Sequence, residues 1–376
     1  MNRTFILLAG AILAGGSPVQ AQYQVRIEAN VKVPMRDGVK LAADLYFPVG
    51  VERVPVVLMR TPYRKEASKP QALSYAVHGF AAVVQDVRGR FGSEGQWEPF
   101  VNEAKDGYDT IEWLARQPWS NGKVGMIGGS YLAWVQWFAA SLHPPHLTTI
   151  IPNASPSDPF HNLPYDNGMV FLTGTFLWTS IVESGATSNP TDPRLLAAVH
   201  KRFGSLMGSL PVVDLDRAVL GKESRFWRDW IAHPSPRDRY WASTMYLGSL
   251  KKLNIPVFHQ SGWFDGDGIG TEWNYLRMMS YRHANQKLTI GPWPHSDSAT
   301  RGIWGHDFGP QALIDLQNEY LRWFDYWLKG VDNGIAKEPL VSVFAMGSNR
   351  WLHADRYPLP QTRMEKLYLS SGGHAN

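Results

Sequence analysis

Apolar and polar positions along this chain fall into short runs, and the runs change period from one to the next. Residues 30–35 and 39–47 flank Arg36-Asp37-Gly38, a turn signal between two strand-like stretches, and predict a hairpin. Residues 54–59, 80–85 and 123–127 are apolar runs bounded by turn residues, the pattern of buried strands. Between the last two, Tyr108, Ile111, Leu114 and Ala115 recur at helical spacing and predict a helix over 103–117. Strand-like runs resume at 147–152, 255–261 and 287–290, and an amphipathic helix is predicted over 311–329. Strands alternating with helices predict an α/β fold, a parallel sheet covered on both faces.

The alternation breaks between residues 156 and 252, where Trp, Phe, Pro and Asp are frequent. About a hundred residues is longer than a plain connection between strands. The segment 156–252 therefore reads as a mainly helical insertion, a cap over the carboxyl edge of the sheet. It divides the α/β domain into 22–155 and 253–335. Residues 336–376 change pattern again, with strand-like runs at 341–346 and 366–370, and predict the start of a β domain.

Composition narrows the function classes. The 376 residues are 44% hydrophobic and 19% charged, enough for a large core, which excludes disordered and collagen-like chains. Residues 1–21 combine Arg3, an apolar stretch over 5–13 and Val19-Gln20-Ala21, the pattern of a signal peptide, so the protein is expected to be exported, periplasmic or secreted. Beyond that segment no apolar run approaches the ~20 residues of a spanning helix, and no membrane span is expected. The net charge of +4, from 37 basic and 33 acidic side chains, is thin and dispersed, and gives no basic face for nucleic acid. The absence of cysteine removes disulfides, thiolate zinc sites and thiol catalysis together. Sixteen tryptophans hint at an aromatic-lined cavity.

The strongest chemical signal is Met126-Ile127-Gly128-Gly129-Ser130-Tyr131-Leu132-Ala133, a buried strand running through a glycine pair and a serine into a helix expected over 132–141. This is the context of a nucleophile elbow, whose strained turn requires small neighbours; Gly128 and Ala133 supply them, although Leu132 stands where a second motif glycine would. A serine hydroxyl needs a base, and the base an orienting carboxylate. In an α/β-hydrolase these follow in the order Ser, Asp, His, each just after a strand. Gly262-Trp263-Phe264-Asp265 follows the run at 255–261, and Gly291-Pro292-Trp293-Pro294-His295 follows the run at 287–290. Ser130, Asp265 and His295 are thus the candidate triad. Among the other histidines, His259 lies inside a strand pattern, His143 and His146 lie in a Pro-rich turn, and His306 is the reserve candidate. Such a triad implies neither a metal nor an organic cofactor.

These motifs together resemble the CocE/NonD hydrolases, the group that includes cocaine esterase, α-amino acid ester hydrolases, glutaryl acylases and X-Pro dipeptidyl-peptidase-like enzymes. Arg60-Thr61-Pro62-Tyr63 resembles the family's R-x-P-Y segment, and Asp86-Val87-Arg88-Gly89 running to Gly92-Ser93-Glu94-Gly95 resembles its D-x-R-G block. The resemblance implies Ser130 as nucleophile, His295 as general base and acid, and Asp265 as orienting carboxylate. It implies an oxyanion hole made of the Tyr63 hydroxyl and the backbone N–H of Tyr131. Asp86 and Arg88 read as a structural ion pair or turn brace, not as catalysts.

The resemblance also bears on substrate. α-Amino acid ester hydrolases bind an ammonium group with clustered carboxylates; Asp267 matches one of these, Gly268 stands where another would be, and Asp166, with Asp158 as its rival, matches a third loosely. The expected activity is cleavage of ester or amide acyl bonds of small molecules through an acyl-enzyme, with α-amino acyl substrates included. An X-Pro dipeptidyl-peptidase activity and a non-catalytic binding protein on the same fold are the alternatives, and a homo-oligomer stays open. Family members carry a complete C-terminal jelly-roll domain. Residues 341–376 resemble only its first strands, so the tail is expected to be poorly ordered or paired with another chain.

Overall fold

The apolar runs assemble into one mixed sheet. A computed structural model describes residues 22–183, 210–296 and 298–368, with the isolated positions 5–6, 201 and 208. The expected signal segment, residues 1–21, lies outside the described residues except for the short strand Phe5–Ile6. From Val25 onward the strands of this sheet are β1 (Val25–Pro34), β2 (Lys40–Pro48), β3 (Val54–Thr61), β4 (Ala81–Asp86), β5 (Ser120–Gly129), β6 (Leu147–Asn153), β7 (Val257–Phe264), β8 (Gln286–Pro294), β9 (Val341–Ala345) and β10 (Arg350–Ala354). Their order across the sheet is β1-β2-β4-β3-β5-β6-β7-β8-β9-β10, with Phe5–Ile6 beside β1. Every neighbouring pair from β4 to β9 is parallel. The pairs β1–β2, β2–β4 and β9–β10 are antiparallel. The prediction of a parallel sheet therefore holds for the centre, and antiparallel strands close both ends.

The helices are α1 (Lys69–Val77), α2 (Glu103–Ala115), α3 (Tyr131–Ala140), α4 (Leu172–Glu183), α5 (Leu215–Leu220), α6 (Arg225–Ala232), α7 (Gly268–Ser280) and α8 (Leu316–Phe324). Period-2 alternation sorts the central strands between two cores. Val56 and Leu58 join Ile111, Leu114, Trp134 and Phe138 on one face, whereas Val57 and Met59 join Tyr75, Phe80, Tyr320 and Phe324 on the other. Because both faces are covered, β3 is buried at every position, which explains its unbroken apolar run.

Several boundaries move. The helix expected over 311–329 is shorter. Pro310–Ala312 forms a separate 3-10 turn, the Asp315 side chain caps α8 by accepting from the Asn318 N–H at 3.0 Å, and the helix widens to a π turn at Asp325–Lys329. Residues 341–345 pair into the central sheet, and β10 completes a hairpin with them. Residues 366–368, expected to be a strand, have no regular structure, and 369–376 lie outside the described residues. Of the inserted segment, α4, α5 and α6 are helical, and short strands occur at Tyr165–Asp166 and Met169–Val170.

Asp86 and Arg88 do not pair with each other, contrary to one of the two expectations; each takes other partners and braces a separate turn. Asp86 accepts from the backbone N–H groups of Lys65 at 2.8 Å and Gly92 at 3.3 Å, and burial pushes its carboxyl up to about 6. Arg88 pairs with Asp106 at 2.6 Å and Asp37 at 2.9 Å.

Candidate active site

Ser130 stands between β5 and α3 with φ 60° and ψ −123°, a left-handed backbone that a non-glycine residue adopts only under strain of about 1–3 kcal/mol. Two contacts hold it there. Its N–H donates to the Asn153 carbonyl at the end of β6 at 3.0 Å, and α3 leaves directly, with the Trp134 N–H donating to the Ser130 carbonyl at 3.0 Å. Gly128, at φ 145°, is required by the same turn: a Cβ there would lie 2.5 Å from the Leu132 Cβ.

Asp265 and His295 emerge from neighbouring parallel strands. Gly262 on β7 pairs with Gly291 on β8, and a Cβ on Gly262 would lie 2.1 Å from the Trp293 carbonyl oxygen. That close approach brings the following loops together, and His295 Nδ1 lies 2.6 Å from Asp265 Oδ1. The carboxylate is held from two further sides, by the Ser261 hydroxyl at 2.5 Å and the Asp267 N–H at 2.9 Å. The Asp265 side chain is fully buried, whereas that of His295 is 46% exposed. Ser130 and His295 both line two cavities.

Tyr63 follows β3. Its hydroxyl accepts from Trp178 Nε1 at 2.7 Å, and Tyr63 and Ser130 line the same cleft. Burial pushes this phenol up to about 12, against the opposing effect of the Trp178 bond, so it stays protonated at neutral pH. Tyr131 is the first residue of α3, so its amide has no partner within the helix. Its side chain is fixed from below: the hydroxyl donates to Glu103 at 2.7 Å, and Glu103 pairs with the buried Arg60 at 2.8 Å.

The first cavity, of about 320 Å³, is lined largely by Phe100, Trp134, Phe171, Trp178 and Trp230. The second is an open cleft of about 1030 Å³ with Ser68, Gln71, Ser74, Ser296 and Gln317 along its walls. Asp267 lines the first cavity, and its Oδ2 lies 3.8 Å from His295 Nδ1. Asp166 does not. It is exposed, hydrogen-bonded to Asn167 at 2.8 Å in a two-residue strand, and this corrects its assignment to a carboxylate pair with Asp267. Its rival Asp158 is buried elsewhere, capping the Phe160 N–H at 2.9 Å and bonding His161.

Of the histidines set aside, His259 is buried and bonded to Gln286 at 3.0 Å, with its ionisation pushed down to about 4 by burial. His146 pairs with Glu112, and His306 is exposed in the short strand His306–Asp307. Asp265, Asp267 and His295 are the one group among the described residues with metal-ligand spacing. The 2.6 Å contact between Asp265 and His295 is a hydrogen bond, too close for an ion to sit between those two atoms. Ser261, Glu103 and Trp178 escaped the sequence reading. Only the abundance of tryptophan pointed towards the last.

Burial holds Asp267 above the usual carboxylate range; the nearby His295 opposes the shift and the Asp265 charge adds to it. A raised folded-state pKa favours the neutral carboxyl in the fold. Its stabilisation is complete below the unfolded value of about 4 and is lost as pH rises through the folded value. Asp267→Asn should therefore gain stability relative to the parent between about pH 4 and pH 8, by roughly 1–3 kcal/mol. Thermal melts of both proteins across that range check the sign.

The sequence pattern of the X-Pro dipeptidyl-peptidase (S15) family matches residues 37–297. Cocaine esterase from Rhodococcus sp. (strain MB1 Bresler) is 32% identical over 369 residues, which covers 93% of this chain and 63% of that protein. A solved α-amino acid ester hydrolase superposes with a TM-score of 0.71 at 23% identity, covering 92% of this chain and 61% of that one. A CocE/NonD family hydrolase from Staphylococcus aureus superposes with a TM-score of 0.69 at 22% identity, covering 93% and 60%. The chain thus spans about 60% of the length of these relatives, and the two superpositions speak for the fold.

Proposed function

Because the chain belongs to the X-Pro dipeptidyl-peptidase (S15) family, we propose that it is a serine hydrolase that cleaves ester or amide acyl bonds. The observation that carries this reading is the strained Ser130, with Tyr63 and the Asp265-bound His295 on the same cleft. Ser130 Oγ attacks the acyl carbon while its proton passes to His295 Nε2. The carbonyl pair moves onto oxygen, where the Tyr63 O–H and the Tyr131 N–H receive the charge. Collapse expels the alcohol or amine, which takes the proton from His295. Water, deprotonated by the same imidazole, then releases the acid and restores Ser130. Asp265 holds the imidazole with its proton on Nδ1 and offsets the positive charge that develops there.

The aromatic cavity supports an apolar, ring-bearing acyl group, and the larger, more open cleft a bulkier leaving group. The segment carrying α4 to α6 serves as a cap, since Trp178 and Trp230 come from it. The sequence of residues 1–21 supports an exported enzyme. A second reading has one observation in its favour: Asp267 lines the acyl cavity and offers a carboxylate to the ammonium of an α-amino acyl group.

Treatment with a fluorophosphonate followed by peptide mass spectrometry should place the adduct on Ser130. An ester panel should then give kcat/KM for benzoyl over acetyl esters higher by about tenfold or more. Faster turnover of phenylglycyl esters would favour the second reading, and release of X-Pro dipeptides from anilides would make it a dipeptidyl-peptidase. Folded protein that takes no label would leave a binding protein on a hydrolase fold.

A further inference from the structure

We infer that Trp178 is a positioning residue for the oxyanion hole: its indole N–H fixes the direction in which the Tyr63 hydroxyl donates. The inference rests on the serine-hydrolase reading above. An indole nitrogen can only donate, so the 2.7 Å bond between Trp178 Nε1 and the Tyr63 oxygen has one polarity. The tyrosine oxygen accepts on that side. Its own proton cannot also point there, because two hydrogens would meet. It is turned away from Trp178, on a residue that lines the same cleft as Ser130. A phenol free to rotate would have to be oriented during the reaction. One held by Trp178 is already aimed, which is the condition for effective stabilisation of developing charge.

The surroundings hold the donor in register with the acceptor. Trp178 lies on α4 and stacks nearly parallel to the Tyr131 ring, with centroids 6.0 Å apart and planes at 12°. It stacks likewise on Trp230, at 5.9 Å and 16°. One indole therefore touches the residues that supply both oxyanion donors, Tyr63 by a hydrogen bond and Tyr131 by its ring. Arg90 ties the same two segments together: its Nε donates to the carbonyl of Pro62, next to Tyr63, at 3.1 Å, and its Nη2 reaches the Val182 carbonyl on α4 at 3.5 Å. Trp178 also lines the aromatic cavity, so substrate binding and oxyanion alignment share one side chain.

The test is a double-mutant cycle on an aryl ester that the parent hydrolyses. Tyr63→Phe should lower kcat by about 10²–10³, the effect of losing one oxyanion donor. Trp178→Phe, which keeps a ring and loses the N–H, should lower kcat about tenfold. In the Tyr63→Phe background that tenfold loss should vanish, because no hydroxyl remains to aim. Any change in KM from the smaller ring should persist in both backgrounds. Binding of an arylboronic acid, which adds to Ser130 and places an oxygen in the hole, should weaken by the same factor as kcat. Binding of benzoate should not. Should the smaller ring loosen α4, β-(3-benzothienyl)alanine at position 178 keeps the bicyclic shape and replaces N–H by sulfur, and it should reproduce the kcat loss. Unchanged kcat in the benzothienyl protein, or an equal loss with and without the Tyr63 hydroxyl, overturns the inference and leaves the hydrolase reading standing. A parent protein inert to esters and to fluorophosphonate would instead remove the hydrolase reading, and this inference with it.

Discussion

Replacing Ser130 with alanine should lower kcat for ester hydrolysis by roughly 10⁶-fold and abolish labelling by a fluorophosphonate. The expected loss is this large because no other hydroxyl among the described residues combines the elbow backbone with a place on both cavities that His295 lines. The fold should persist. Ser130 meets its surroundings through its backbone, with the N–H on Asn153 and the carbonyl on Trp134, and alanine keeps both. Ser130→Gly separates chemistry from strain more sharply. It also removes the nucleophile, but glycine adopts φ 60° freely, so the variant should be more stable than the alanine one by up to about 1 kcal/mol. Steady-state rates on one ester and denaturant melts of the three proteins settle both points. Retained turnover in Ser130→Ala would move the nucleophile elsewhere.

Asp265→Asn should lower kcat by about 10³–10⁴-fold with little change in fold. The carboxylate sits where an amide can substitute geometrically. Oδ1 accepts from His295 and from the Asp267 N–H, and the Ser261 hydroxyl on the other oxygen can rotate to accept an amide proton instead. The asparagine can therefore keep its oxygen towards the imidazole. What it removes is the buried negative charge facing the imidazolium that forms as Ser130 gives up its proton. The loss belongs in kcat, since this charge is needed only once the proton has moved. Pre-steady-state acylation rates of the variant check the assignment. A loss confined to KM would show that Asp265 shapes the cavity rather than the base.

The candidate triad was legible because each proposed member follows a strand, and a strand leaves a sequence signature in its apolar run. Ser130, Asp265 and His295 could be ordered along the chain before any geometry was known. The supporting side chains were not legible, because their roles exist only between distant segments. Trp178 meets Tyr63 across 115 positions, and Ser261 reads as one more polar residue at the end of a strand. Asp166 was misplaced for the same reason, since sequence offset from a nucleophile does not say which way a short turn faces. The fold shows a parallel limit. α7 begins Gly268-Ile269-Gly270-Thr271, poor helix formers, and was missed. The small residue is demanded by packing instead: a Cβ on Gly270 would lie 2.1 Å from Asn162 Oδ1. β7 and β8 run past their apolar cores because Gly262 and Gly291 continue the pairing there.

The pairing of β6 with β7 has a consequence in time rather than in space. The two strands meet across the whole inserted segment, and the Thr149 hydroxyl bonds the Pro256 carbonyl 107 positions away. Closing so long a loop is entropically unfavourable until the contacts beyond it form, so such pairings are slow steps in folding. The elbow with Ser130 belongs to the part of the chain made first, whereas Asp265 and His295 belong to the part that must dock afterwards. A half-folded chain can thus carry a formed elbow without His295 on the same cavity, and Ser130, Asp265 and His295 come together only when the pairing of β6 with β7 has closed.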